Sequence, residues 1–186
     1  MKKIAIAILF LLLSSSLFAQ QSEKFTTKNN FEVSITGTSS LHDWECTVRD
    51  FSGYVTVEIV ENKVTDVTAF SFGFIAENLE SGKSSMDKKM HDAINAKKHP
   101  FISFKGNKVS MLSKRQLIFE GTFSINGTTK TLQMPAEFKL GGDHIMLRGK
   151  KDILLTDFDI EPPKALLGTI TTGNLVTIHY NITLSK

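Results

Sequence analysis

Gln116-Leu117-Ile118-Phe119-Glu120-Gly121-Thr122-Phe123-Ser124-Ile125-Asn126-Gly127 is the stretch that decides the class of fold. Leu117, Phe119, Gly121, Phe123 and Ile125 fall on one face of a period-two pattern, with Glu120, Thr122 and Ser124 on the other. That spacing is a strand with one buried face. Asn126-Gly127 supplies the two residues tolerant of positive φ that a type I′ hairpin turn requires. The expected partner strand follows in the same alternation, with Leu132, Met134, Ala136, Phe138 and Leu140 inward, and Gly141-Gly142-Asp143 turns the chain again.

The same reading extends outward in both directions. Downstream, strands are expected over 145–151 and 153–160. Pro162-Pro163 then forces an extended corner, and Val176, Ile178, Tyr180, Ile182 and Leu184 alternate with Thr177, His179 and Asn181. Upstream, strand character covers 101–105 and 107–112. The run 64–76 sets Phe70, Phe72 and Phe74 on one face and Ala69, Ser71 and Gly73 on the other. Val55, Val57 and Ile59 mark another strand over 53–60, turned by Asn62-Lys63, and strands are expected at 31–37 and 42–50. Residues 20–30 are polar and read as a frayed lead-in.

One segment changes period. Met86, Met90 and Ile94 recur at i, i+4 and i+8, predicting a helix over about 85–97 that starts at a Ser84/Asp87 capping box and ends at Pro100. Its Met stripe fits either packing onto the sheet or an adaptable lid over a cavity. Eight or more sequence-adjacent antiparallel strands with one inserted helix define an all-β chain. Such a meander removes its exposed edges by closing into a barrel. A barrel of about eight strands has an interior that is just filled or holds one small ligand.

The stretch Ser39-Ser40-Leu41-His42-Asp43-Trp44-Glu45-Cys46 contains the only Trp and the only Cys. If a strand begins at His42, then His42, Trp44 and Cys46 share its inner face. That arrangement is the mouth of an apolar cavity or, equally, a core Trp beside a hydrogen-bonded His. The candidate ligand-facing residues are therefore His42, Trp44 and Cys46, with Phe70, Phe72, Phe74, Phe104, Phe119, Phe123 and Phe138 from the inward rows and Met86 and Met90 from the helix.

The chain has 186 residues. Met1-Lys2-Lys3, the apolar run 4–13 and the small residues leading to Ala19 read as a secretory signal peptide over 1–19, leaving 20–186 as one domain. A soluble protein, periplasmic or secreted, is expected. The net charge of +3 includes Lys2 and Lys3 of that leader, so the mature chain is close to neutral and nothing points to a nucleic-acid partner. No second apolar stretch is long enough to span a membrane, and monomer and dimer both stay open.

Reactive chemistry finds little support. The adjacent residues of His42-Asp43 and His91-Asp92 diverge on a strand or a helix and cannot chelate one ion together, so no metal and no cofactor are expected. Cys46 lacks a positive neighbour to activate it, and His42 would stand about 13 Å away along a regular strand. No catalytic residue is assigned. A pocket hydrolase or isomerase, and a filled barrel without ligand, are the alternatives to a binding protein.

Thr38-Ser39-Ser40-Leu41-His42-Asp43-Trp44, Ser81-Gly82, Met86-Asp87, Met90, Pro100-Phe101-Ile102-Ser103-Phe104, Gly121-Thr122 and Phe158-Asp159-Ile160-Glu161-Pro162 stand in an order that resembles the YceI-like family. The resemblance covers nearly the whole mature chain. It implies a lipocalin-like barrel with an elongated cavity for a polyisoprenoid or quinone-like amphiphile. It also implies that His42 and Trp44 take the signature positions, with Met86, Asp87 and Met90 on the helix.

Overall fold

The period-two segments form eleven strands and the 3.6-period segment forms one α-helix among the residues described by the computed structural model, 21–61, 63–113, 115–165 and 168–186. The expected leader, 1–19, and Asn62 of the expected turn lie outside these residues. The strands are β1 (Gln21–Ser39), β2 (Trp44–Val48), β3 (Ser52–Val60), β4 (Lys63–Ile75), β5 (Leu79–Glu80), β6 (Phe101–Ser113), β7 (Gln116–Ile125), β8 (Thr128–Gly141), β9 (His144–Leu154), β10 (Lys164–Ala165) and β11 (Ile170–Ser185), with helix α1 (Ser84–Ala93) between β5 and β6. Eight of them run β11-β9-β8-β7-β6-β4-β3-β1, each antiparallel to the next, and β1 pairs back onto β11. The sheet is a closed eight-stranded barrel, as the alternation required.

β1 is the strand that the sequence under-reported. Residues 21–30 are not a frayed lead-in: Gln21 to Thr26 pair with β3, and Thr26 onward pairs with β11. Phe25 is 0% exposed, and Gly53 and the Thr27 hydroxyl hydrogen-bond each other in both directions. A single inward aromatic among polar residues carries no alternation, yet backbone pairing on two edges holds the segment. A register shift between Thr27 and Phe31 bends β1, and beyond it Ser34 to Gly37 exchange β3 for β2.

Three further boundaries differ from expectation. β2 begins at Trp44 rather than His42, because the preceding residues close a tight turn on Ser39. β9 runs unbroken over 144–154 and then winds into a single 3₁₀ turn, Leu155–Phe158, so 153–160 is not a strand. Helix α1 stops at Ala93, well before Pro100. Asn95, at φ 49, takes the left-handed position of a Schellman ending, with Ala96 N–H bonded to His91 O (2.9 Å) and Asn95 N–H to Asp92 O (3.1 Å). The start is also rearranged. The N-cap is Lys83, without a side-chain cap, and Asp87 reaches back to Ser81 instead. The hairpin turn is as expected, with Asn126 and Gly127 at φ 54 and 75.

The barrel's waist is filled by rings. Phe70, 1% exposed, stands edge-on to Phe119 and tilted against Phe104, both at 5.1 Å between centroids, and stacks on Phe72. Its ring rests on the backbone of β6 and β7. A Cβ added at Gly106 or Gly121 would come within 2.8 or 2.9 Å of its Cζ. Glycines on β6 and β7 thus stand where the large ring from β4 needs the space. Phe70→Ala should lower the unfolding free energy by about 3–5 kcal/mol, measured by urea denaturation. A loss below about 1 kcal/mol would mean that the waist is not packed around this ring.

Candidate binding cavity

Three parts of the chain meet at one end of the barrel: the β1–β2 turn, helix α1 and residues 155–165 with 168–172. Ser39 builds the turn. Its hydroxyl donates to His42 O (2.7 Å) and accepts the N–H groups of Leu41 and His42. Ser40 ties the turn to β11: its N–H donates to Thr171 O (2.9 Å), and its hydroxyl accepts from Thr171 N–H (3.1 Å). His42 is exposed, and its Nδ1 lies 2.6 Å from Asp43 O. Since a carbonyl only accepts, Nδ1 carries the proton and Nε2 of the neutral ring is left as an acceptor.

Trp44 is held by shape and by one bond. It pairs with Gly37 across β1 and β2, and a Cβ at Gly37 would run into its Cζ2. Its Nε1–H donates to Thr38 O at 3.0 Å. The indole therefore lies flat over a position that only glycine leaves open.

Helix α1 is tethered by polar contacts more than by burial, since none of its residues is fully buried. Asp87 Oδ1 accepts from Ser81 N–H (2.7 Å) and the Ser81 hydroxyl (2.6 Å); the hydroxyl bond above all holds its carboxyl below the ordinary value. His91 Nε2 donates to Leu79 O at 2.8 Å, and Asn95 just beyond the helix donates to Asn126 Oδ1 at 2.6 Å. Met86 and Met90 are half-buried, whereas Ile94 is buried. The apolar stripe is thus anchored at its exit and loosely packed at its start.

Under the helix lies a hollow of about 330 Å³. Trp44, Met86, Met90, Ala93, Ile94, Leu155, Ile160, Pro163 and Ile170 wall it, and Leu41, His42, Lys83, Lys89 and Lys164 stand among its lining residues. A second hollow of about 90 Å³ sits among Phe51, Phe72, Phe74, Phe104, Phe119, Phe123 and Tyr180, with no charged residue in its lining. The two share no lining residue. One of these apolar hollows lies at the barrel end and the other among the interlocked Phe rings of the barrel. The Tyr180 hydroxyl donates to Pro135 O, and burial raises its pKa.

The structure brings four expected residues, His42, Trp44, Met86 and Met90, to the larger hollow and five, Phe72, Phe74, Phe104, Phe119 and Phe123, to the smaller. Phe70, Cys46 and Phe138 line neither. Phe70 is spent on the waist. Cys46 is fully buried, so sharing a face with Trp44 does not bring it to the same space. Burial pushes its thiol up to about 12, and the Asp87 and Glu45 carboxylates add to the rise. Phe138 lies toward the opposite end, beside a polar groove with Arg115, Glu137 and Arg148, since alternation sets the face of a residue but not its depth along the barrel.

Phe51, Ile160, Pro163 and Ile170 were not among the expected ligand-facing residues. Phe51 lies between β2 and β3 and stacks on Phe72 at 6.0 Å, but a turn residue carries no period. Ile160, Pro163 and Ile170 follow the Asp159 reversal at φ 55; the Phe158–Pro162 motif and the Pro pair hinted at a corner there, but not at a cavity wall. Among the described residues no group of three or more His, Cys, Asp or Glu could hold a metal ion, and no helix is long and apolar enough to cross a membrane.

A closed antiparallel barrel of eight strands, with an apolar hollow at one end beneath a helix, is a lipocalin-like architecture. The chain belongs to the YceI-like domain family, whose model matches residues 20–184. A UPF0312 protein of Azotobacter vinelandii is 26% identical over 140 residues, covering 71% of this chain and 70% of its own. Among solved structures, Burkholderia cenocepacia BcnA superposes with a TM-score of 0.71 at 16% identity, over 82% of this chain and 95% of that one. A polyisoprenoid binding domain from Saccharophagus degradans gives 0.66 at 11% identity, over 89% and 99%. The Campylobacter jejuni YCEI protein gives 0.64 at 15% identity, over 76% and 84%.

Two outcomes follow from the site's geometry. Gly37→Ala should displace the indole, shifting Trp44 emission while the barrel's far-ultraviolet dichroism is retained; unchanged emission would mean that the ring does not depend on this glycine. For Cys46, the folded-state pKa is raised from 9.0 to about 12. Its contribution to stability is therefore whole below pH 9 and is lost as pH rises toward about 12. The urea midpoint of the wild type should fall more steeply across that window than that of Cys46→Ala. Parallel curves would remove the thiol as the cause.

Proposed function

We propose that this protein binds an apolar-tailed amphiphile without transforming it, seating the tail in the hollow under α1. The observation that carries the reading is the 330 Å³ space walled by Trp44, Met86, Met90, Ile160 and Ile170. Its size is near the lower end of the roughly 300–1,000 Å³ typical of small-molecule pockets. Met side chains conform to chains of varied shape, and Met86 and Met90 are only half-buried. The structural neighbour described as a polyisoprenoid binding domain supports an isoprenoid-like tail, and an isoprenoid quinone has the same tail chemistry. Within the barrel only the smaller hollow of about 90 Å³ is open, so the tail's first units occupy the mouth and a longer tail must displace rings of the smaller hollow.

A binding role rather than an enzymatic one is favoured by the residues that meet there. The one thiol is buried away from both hollows with its pKa pushed up to about 12, and thiols of that kind do not attack substrates. With the leader expected over 1–19, we place this activity in the periplasm or outside the cell, as sequestration or transport.

The test is a series of isoprenoid alcohols of increasing length titrated against Trp44 emission, beside mass spectrometry of lipid extracted from protein purified from its native host. Each buried methylene contributes about 0.8 kcal/mol, so affinity should climb steeply with length and level off once the hollow is full. Affinity that is flat across the series, with no co-purifying lipid, would exclude tail burial.

A further inference from the structure

The opening of the larger hollow carries charge of one sign. Its lining includes Lys83, Lys89 and Lys164 with His42, and no Asp or Glu. The three lysines come from both sides of the space. Lys83 immediately precedes α1, Lys89 lies within it, and Lys164 follows the Pro162-Pro163 corner. Lys83 and Lys89 have no side-chain partner among the described residues, and Lys164 meets only the exposed Glu161, at 3.4 Å. The nearby acid of the helix is engaged elsewhere, because Asp87 is turned onto Ser81.

Ammonium groups around an apolar space repel one another, and the low-dielectric wall focuses their field into the opening. An anion placed there meets attraction from every charged side chain of the lining. A neutral head group leaves that field uncompensated. We infer that the ligand's head group is anionic, a carboxylate or a phosphate, held by Lys83, Lys89 and Lys164 above a tail buried against Trp44, Met86 and Met90. This rests on the tail-binding reading above and adds the chemical class of the head. Tail length then sets how tightly ligands bind, and head-group charge sets which of equal length are chosen.

Farnesol, farnesoic acid and farnesyl monophosphate share one tail and differ in head group, so their relative affinities isolate the charge. Binding is read by calorimetry below the micellar concentration of each probe. Both anionic probes, or the one whose anion the site takes, should bind about tenfold more tightly than farnesol. That ratio should shrink as salt is raised, because the lysines are exposed and the Debye length is only about 10 Å at 0.1 M. In the Lys83→Gln/Lys89→Gln double variant the ratio should collapse toward unity, with the melting temperature confirming that the barrel is intact. Preference for the phosphate alone or the carboxylate alone supports the inference and identifies the anion. Equal binding of all three probes by the wild type overturns the anionic head while tail burial stands. Binding of none overturns both.

Discussion

The pairing of β1 with β11 is the constraint on which the rest of the structure depends. It runs from Thr26 opposite Ser185 to Ser39 opposite Thr172, joining the two ends of the described chain along the full height of the barrel. Without it the sheet would be open, with the apolar faces of β1 and β11 meeting water and two edges free to pair elsewhere. Side chains reinforce the seam. Thr36 Oγ1 and His179 Nε2 lie 3.0 Å apart, and Asn181 donates to Glu32 at 3.1 Å. At its lower end Lys186 bridges Glu23 at 2.7 Å. These exposed or partly exposed pairs add little each, so the backbone ladder and the apolar area it encloses do most of the stabilising.

Closure has a second consequence at each end. An eight-stranded barrel is narrow enough for side chains from opposite walls to meet, and here phenylalanines meet at the waist. Phe70, Phe72, Phe104 and Phe119 interlock over the glycine positions of β6 and β7. Past the waist, toward the β1–β2 turn, the end is covered from outside by α1 and by residues 155–165 and 168–172. A helix laid over a barrel end cannot pack as densely as strands across a barrel. The hollow under Met86 and Met90 is the space left by that mismatch, and it is where a ligand would do least damage to the core.

The sequence made the inward faces legible wherever polar and apolar residues alternate for several positions. The β7–β8 hairpin, the Phe row of β4 and the last strand all appear as expected. Legibility stopped where pattern stopped. In the first residues of β1 Phe25 is the only buried apolar side chain, so the pairing that holds the segment left no signature. At the helix end, Asn95 stands in for the more recognisable glycine, and Pro100 offered a plausible but later stop. Of the residues around the larger hollow, His42, Trp44, Met86, Met90, Ile94 and Ile160 were visible through motif and stripe, but Ile170 and the lysines were not. They come from the helix, from the ends of β10 and β11 and from the loops beside them, and nothing local marks which of these segments folds over which opening.

Alternation with period two, the Asn126-Gly127 turn and the break of period at Met86 were enough to determine an antiparallel barrel with one helix, because strand faces and tight turns are set by local sterics and by burial of one face. Which inward residues touch a cavity was decided only in three dimensions. Cys46 and Trp44 share a strand face, yet one is sealed in the core and the other lines the hollow; Phe138 points inward, yet lies toward the far end. Depth along the barrel, the filling of its waist and the convergence of Lys83, Lys89 and Lys164 on one opening depend on strand register and on segments distant in sequence. Those are properties of closure, and a one-dimensional pattern does not contain them.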